Sequence, residues 1–264
     1  ALDYITITST GNAVSWGDLV QTTNQVSGAG SSTRGLFFGG TASGSALNNI
    51  QQITIATLGS ASDFGDLTVG RYGNASSSNE TRAISAGGNS GGGGTNIIDY
   101  VTIASAGNAI DFGDMTTTEC EYAASCASTT RALIGGGKDS GVSQRNQIDY
   151  VTIASTGNAA DFGDLNDTIQ MLAACSSSTR GVFAGGTSPT NDVIQYVTLA
   201  STGNATDFGD LDTGRYGFAG TSSSIRGVFM CGRTSTDPRT NTIQYITIAA
   251  TGNATDFGDA TIVR

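Results

Sequence analysis

The chain has 264 residues, of which 38% are apolar and 38 are glycine, with 12 basic residues, 22 acidic residues and no histidine. A net charge of −10 with Lys138 as sole lysine offers no basic face to phosphates or anionic lipid, so nucleic acid is not an expected partner. Without histidine there is no His-dependent triad and no His-ligated zinc or copper, and no apolar run approaches the ~20 residues of a membrane helix, so no membrane insertion is expected.

In chain order the first unit is DYITITSTGNAVSWGDL from Asp3, two strand-like runs joined by a Gly-Asn turn. The unit returns as QQITIATLGSASDFGDL from Gln51, DYVTIASAGNAIDFGDM from Asp99, DYVTIASTGNAADFGDL from Asp149, QYVTLASTGNATDFGDL from Gln195 and QYITIAATGNATDFGDA from Gln244. The register marks Tyr4, Gln52, Tyr100, Tyr150, Tyr196 and Tyr245 lie 48, 48, 50, 46 and 49 residues apart, the period of a propeller blade.

Two further strand-like runs precede each full copy. In the last one the four runs are 216–223, 226–231, 243–249 and 254–259. Along the third run both alternating sets, Ile243, Tyr245, Thr247 and Gln244, Ile246, Ile248, are largely apolar, which fits a strand covered on both faces by neighbouring sheets. The expected fold is therefore an all-β β-propeller in one domain spanning 1–264. It has a two-stranded half-blade at 3–19 and five complete four-stranded blades near 26–67, 72–115, 122–165, 171–211 and 216–260. Either a five-membered ring closes and the extra hairpin lies outside it, or a six-membered ring has one incomplete blade. A longer polypeptide or a hairpin exchanged between subunits would satisfy the open edge, and a homo-oligomer is expected.

Within the repeat, Arg34, Arg82, Arg131, Arg180 and Arg226 open the second strands, which end in Gly-Gly in four copies. Pairing of these arginines with the first aspartate of D-F-G-D is the expected contact. Trp16, Phe64, Phe112, Phe162, Phe208 and Phe257 fill one position of the fourth strand and are expected between blades. The aspartates at 63, 111, 161, 207 and 256, and again three residues later, recur in every full copy. A catalytic residue occurs once, so these are read as turn-capping groups, with weak calcium sites as the alternative; no metal, no cofactor and no enzymatic activity are expected. Cys126 and Cys175 stand five residues before Arg131 and Arg180 and read as buried thiols, the alternative being a Cys120–Cys126 bridge.

The order R-G-V-F-A-G-G, variable loop, I-Q-Y-V-T-L-A, D-F-G-D-L and T-G-R resembles the kelch repeat. Kelch blades carry a double glycine closing the second strand, a tyrosine in the third and a tryptophan in the fourth, and Arg71, Arg215 and Arg264 stand where kelch places its arginine. Gln52 in place of tyrosine and Cys231 in place of glycine depart from that pattern. The phrase YVTIASTGNATDFGDL is also similar to tandem arrays in virion proteins of marine cyanobacterial phages. That resemblance implies a virion structural protein, in a tail fibre or capsid-surface appendage, with other virion proteins and a host-surface glycan or receptor as partners. The alternative is a secreted bacterial carbohydrate-binding or adhesive propeller.

The connections from second to third strand differ between copies: 41–49, 89–96, 138–147, 187–192 and 233–241. They should emerge on one face and hold the irregular charges Lys138, Asp139, Arg145, Asp192, Arg233, Asp237 and Arg239, which makes that face the expected partner-binding surface. The four basic residues among them would favour acidic sugars.

Overall fold

The computed structural model describes residues 1–141, 143–187, 189–236 and 239–263; among these every regular element is a β-strand. Five four-stranded antiparallel blades stand in a ring as a β-propeller. Blade 1 is Ser27–Gly30, Arg34–Phe38, Asn49–Thr54 and Ser62–Asp66; blade 2 is Ala75–Ser78, Arg82–Ala86, Ile97–Thr102 and Ile110–Asp114. Blade 3 is Ala124–Ala127, Arg131–Gly135, Gln147–Thr152 and Ala160–Asp164; blade 4 is Ala173–Ser176, Arg180–Ala184, Val193–Thr198 and Thr206–Asp210. Blade 5 is Ala219–Ser222, Arg226–Met230, Thr242–Thr247 and Thr255–Asp259, and the half-blade pairs Leu2–Tyr4 with Val14–Gly17.

Local chemistry explains the blade. The turn from first to second strand is set by a short polar side chain folded onto its own backbone: Ser31 Oγ accepts from the amides of Thr33 and Arg34, and Asn79 Oδ1 from those of Thr81 and Arg82. The double glycine ending the second strand is required by φ and by space. Gly39 has φ +60°, and a Cβ there would lie 2.3 Å from the Arg71 carbonyl oxygen. D-F-G-D encodes a β-bulge: Ile98 pairs with Gly113 and Asp99 with Asp111, so Phe112 is the extra residue, turned into the core. The half-blade repeats the bulge at Trp16, between the Leu2–Gly17 and Asp3–Ser15 pairs.

The buried apolar residues form clusters between consecutive sheets. Phe64 packs with Val101 and Ile103, Phe112 with Ile134 and Val151, Phe162 with Phe183 and Val197, and Phe208 with Phe229 and Ile246. A fifth cluster joins Phe257 of blade 5 to Ile5, Ile7 and Ala13 of the half-blade. The five fourth-strand phenylalanines thus lie between sheets, as expected; Trp16 of the half-blade belongs to none of these clusters and meets Tyr4 edge-on.

The half-blade does not lie outside the ring. The amides of Ala61, Ala109, Ala159, Ala205, Ala254 and Ala13 donate to the carbonyls of Asp18, Asp66, Asp114, Asp164, Asp210 and Asp259, all at 2.7–2.8 Å. Six outer hairpins are thereby joined head to tail in a closed circle, the half-blade seated between blade 5 and blade 1. The inner layer has five members. Gly73, Tyr122, Met171 and Gly217 each donate an amide to the residue in the same place one blade earlier, Gln25, Gly73, Tyr122 and Met171, at 2.8–3.1 Å. The first strands interlock through serine, as where Ser78 Oγ accepts from the Gly30 amide and donates to the Gly30 carbonyl, and Ser222 does the same to Ser176.

Candidate binding face

The second-to-third-strand loops share one end of the blades with the segments that lead from blade to blade. The Gly40, Gly88, Gly137 and Gly186 amides donate to the carbonyls of Arg71, Cys120, Ile169 and Arg215 in those segments. Each loop is also bridged to the strand entry before its own blade, as in the Glu121–Lys138 and Gln170–Thr187 pairs. What varies is the tip. The loop at 41–49 folds as a small hairpin, Thr41–Ala42 against Ser45–Ala46, and the 233–241 loop is closed by the Arg233–Arg239 bridge.

The most built part of this face joins blades 2 and 3. Buried Glu121 accepts from Asn89 Nδ2 at 2.9 Å and Ser140 Oγ at 3.2 Å, while Lys138 Nζ lies 3.9 Å from its other oxygen and 5.7 Å from the Tyr122 ring centroid. Ser140 also accepts from the Gly94 amide at 2.6 Å and donates its own amide to Glu119 at 2.9 Å. Two acids of the T-E-C-E-Y segment therefore hold the two loops together. Sequence reading passed them over; the signal was there, since two of the chain's three glutamates stand where the other linkers carry none.

The charged residues expected to bind do not form one cluster. Lys138, Asp139 and Arg145 belong to blade 3, Asp192 to blade 4, and Arg233 and Arg239 to blade 5; Asp237 lies outside the described residues. Lys138 is committed to Glu121, Asp139 Oδ1 accepts from the Ser143 amide at 3.0 Å, and Arg145 is half-buried. Asp192 and Arg239 are the exposed members.

One expectation needs correction. The second-strand arginines do not meet the D-F-G-D aspartates. They reach across to the next sheet, where Arg34, Arg82, Arg131, Arg180 and Arg226 donate to the carbonyls of Ile103, Ile153, Leu199, Ile248 and Ile7 at 2.7–3.1 Å. On the way four half-buried guanidiniums lie 4.4–4.9 Å over the third-strand tyrosines, a contact a cation can make while its N–H groups donate to a carbonyl. Arg34, facing Gln52, lies instead 5.8 Å over Phe64. The cysteines are the buried thiols expected, not a Cys120–Cys126 bridge: desolvation raises Cys120, Cys126 and Cys175, the first two to about 12. The S-T-G-N hairpins are clamped on the preceding sheet: Asn108, Asn158, Asn204, Asn253 and Asn12 accept from the amides of Asp66, Asp114, Asp164, Asp210 and Asp259. The aspartates of D-F-G-D cap locally, as Asp111 and Asp161 do by accepting from Gly113 and Gly163.

A buried polar position also repeats around the ring, one residue before the third-strand tyrosine. Gln51, Asp99, Asp149, Gln195 and Gln244 accept from the amides of Val20, Thr68, Thr116, Asn166 and Asp212 of the preceding sector, and Asp3 accepts from Thr261 Oγ1. Asp99 adds a fully buried ion pair with Arg71 at 2.9 Å. Asp149, without such a cation in contact, is raised by burial against the pull of its Thr116 hydrogen bonds.

Two open pockets, of about 200 and 160 Å³, occupy the same place in the repeat: one beside Gln52 and Arg34 in blade 1, the other beside Tyr4 and Thr6 in the half-blade. They mark the blade without the tyrosine and the half-blade without the arginine.

The fold and this face define a propeller scaffold with one variable end. No protein-family model and no curated protein matches the chain, so the kelch and phage-array resemblances rest on the repeat motifs alone.

Proposed function

We propose that this protein is a non-enzymatic binding scaffold carried on a phage particle, in a tail fibre or capsid-surface appendage, where its loop face contacts a host-surface glycan or another virion protein. The observation that carries this reading is the contrast between the sectors' frame and their tips. The frame contacts recur at equivalent positions from blade to blade, while the five second-to-third-strand loops differ in length, sequence and local fold. Such a frame presents an asymmetric surface on a symmetric body. With Lys138 held by Glu121, recognition falls to the exposed Asn, Ser and Thr groups, Asp192 and Arg239, a set suited to neutral hydroxyl-rich ligands more than to acidic ones.

The test is adsorption of the labelled domain to marine cyanobacterial cells, repeated with tips 139–143 and 234–239 replaced by Gly-Ser linkers of equal length and with Asp192→Ala. Loss of adsorption by a variant of unchanged melting temperature supports a loop-face receptor site. Undiminished adsorption by all variants counts against it.

A further inference from the structure

Residues that build the frame recur from blade to blade, and residues that occur once need another explanation. Lys138 is the chain's only lysine and Glu121 one of its three glutamates. Lys138 follows the Gly-Gly of blade 3 and Asn89 the Gly-Gly of blade 2, so the two hold one position in consecutive blades, filled elsewhere by Thr41, Thr187 and Arg233. Each is bridged to the strand entry before its own blade, Asn89 to Tyr72 and Lys138 to Glu121. At the joint of blades 2 and 3 the repeat thereby brings an amine, a carboxyl group and a side-chain amide together.

Glu121 stands between the other two. Its Oε1 accepts from Asn89 Nδ2 at 2.9 Å and its Oε2 lies 3.9 Å from Lys138 Nζ, so one buried carboxylate holds an amide nitrogen by one oxygen and an amine by the other. Ser140 Oγ, donating to Oε1 at 3.2 Å, fixes the carboxylate in that orientation. Asn89 Oδ1 accepts from the Gly91 amide at 2.7 Å, a donor placed where negative charge gathers when the amide carbon is attacked. The Tyr122 ring, its centroid 5.7 Å from Lys138 Nζ, shelters the amine, whose side chain is 19% exposed against 3% for Glu121. That shelter limits the access of water to the amide carbon.

We propose that the protein joins Lys138 to Asn89 by an isopeptide bond, with Glu121 as the proton carrier. Glu121 takes a proton from the Lys138 ammonium, the freed Nζ lone pair attacks Asn89 Cγ, and Oδ1 takes up the charge facing the Gly91 amide. Glu121 passes its proton to Nδ2, the Cγ–Nδ2 bond breaks, and the electron pair leaves with ammonia as the carbonyl re-forms. The second Nζ proton goes to Glu121 and from there to the departing ammonia, so the protein loses one ammonium ion and nothing is oxidised or reduced. Holding both reactants on one carboxylate supplies the effective concentration the step needs, and the flexible lysine stem lets Nζ travel to Cγ. The bond ties the loops of blades 2 and 3 covalently, in a body whose blades otherwise hold mainly to their neighbours. It stands whatever ligand the loop face binds.

The test is mass spectrometry of the intact protein, held near neutral pH until its mass is constant. It should be lighter than its sequence mass by one ammonia, about 17 Da. Trypsin should then leave Lys138 uncleaved and release residues 83–131 joined to 132–145 as one branched peptide. Lys138→Arg keeps the cation, removes the nucleophile and should keep its full mass. Glu121→Gln should form the bond at least about tenfold more slowly. A parent of full mass, cleaved after Lys138, overturns the proposal, and this measurement decides even if a variant fails to fold. A mass loss that persists in Lys138→Arg also overturns it, since an asparagine succinimide releases the same ammonia without lysine. Bond formation by Glu121→Gln at the parent's rate overturns the role given to Glu121.

Discussion

The amide of Ala13 donates to the carbonyl of Asp259 at 2.8 Å, docking the first hairpin of the chain on its last blade. The bond is the same one that holds every consecutive pair of sectors, so the ends of the polypeptide meet through a contact used throughout the ring rather than through a special seam. Its neighbour, the Asp259 amide on Asn12 Oδ1, repeats the Asp114–Asn158 contact two residues from the bulge. The tightness of this joint is testable at its glycines.

A Cβ on Gly65 would sit 2.3 Å from the Gly107 carbonyl oxygen, and Gly65 has φ +151°; a Cβ on Gly107 itself meets nothing within 4 Å. Gly65→Ala should cost about 2–3 kcal/mol, the range for overpacking against backbone. Gly107→Ala should stay within ~0.5 kcal/mol. Urea denaturation of both variants checks the pair, and equal costs would mean that the hairpin tip is not seated on the sheet.

The Arg71–Asp99 pair is buried on both sides, with burial lowering the arginine's pKa against the opposing pull of Asp99. Asp99→Asn should destabilise by about 3–5 kcal/mol because the guanidinium keeps its charge without its partner. Blade 4 shows the neutral solution at the same two positions, Ile169 and Gln195, both buried. The double variant Arg71→Ile with Asp99→Gln is expected within about 1 kcal/mol of the parent, measured by the same denaturation series.

Phe162 is fully enclosed between blades 3 and 4 and meets Tyr150 edge-on, with centroids 5.9 Å apart. Phe162→Ala should cost ~3–5 kcal/mol. Since each blade touches mainly its neighbours, hydrogen exchange should accelerate first in blades 3 and 4. Uniform acceleration around the ring would show a more cooperative unit than the contacts describe.

Thiol reactivity follows from burial. Cys120, Cys126 and Cys175 are held far from the thiolate, and only the thiolate reacts. At pH 8 the native protein should label at Cys231 at most, and all four cysteines should label in denaturant; mass spectrometry of the modified peptides reads the result. Native labelling of Cys126 or Cys175 would place the first strands of blades 3 and 4 in solvent.

Much of this molecule was legible before its structure, because the information was local and repeated. A 46–50-residue period with four strand-like runs marked five complete four-stranded units and their strand order, while leaving the ring number open. Recurrence of Phe112, Phe162 and Phe208 marked the inter-blade layer, and the paired glycines marked the end of the second strand, where the structure has positive φ.

What repetition could not carry is which copy each residue touches. Arg34 finds its carbonyl 69 positions on, in the next sheet, and nothing in R-G-L-F-F distinguishes that partner from the aspartate of its own blade. The seat of the half-blade was equally hidden: residues 3–19 read the same whether they lie outside a five-membered ring or inside a wider one. The Ala13–Asp259 and Ala61–Asp18 contacts, with the packing of Ile5 and Ile7 on Phe257, place the sixth outer hairpin between blades 5 and 1. The composition of T-E-C-E-Y marked Glu121 as unusual, but not its partners: Lys138 in the loop of its own blade and Asn89 in the loop of the blade before come together only in the fold. Sequence by itself determined the unit and its buried faces, through short-range periodicity. Tertiary structure alone decided the closure and the partners across each interface, because both depend on how rigid units stack.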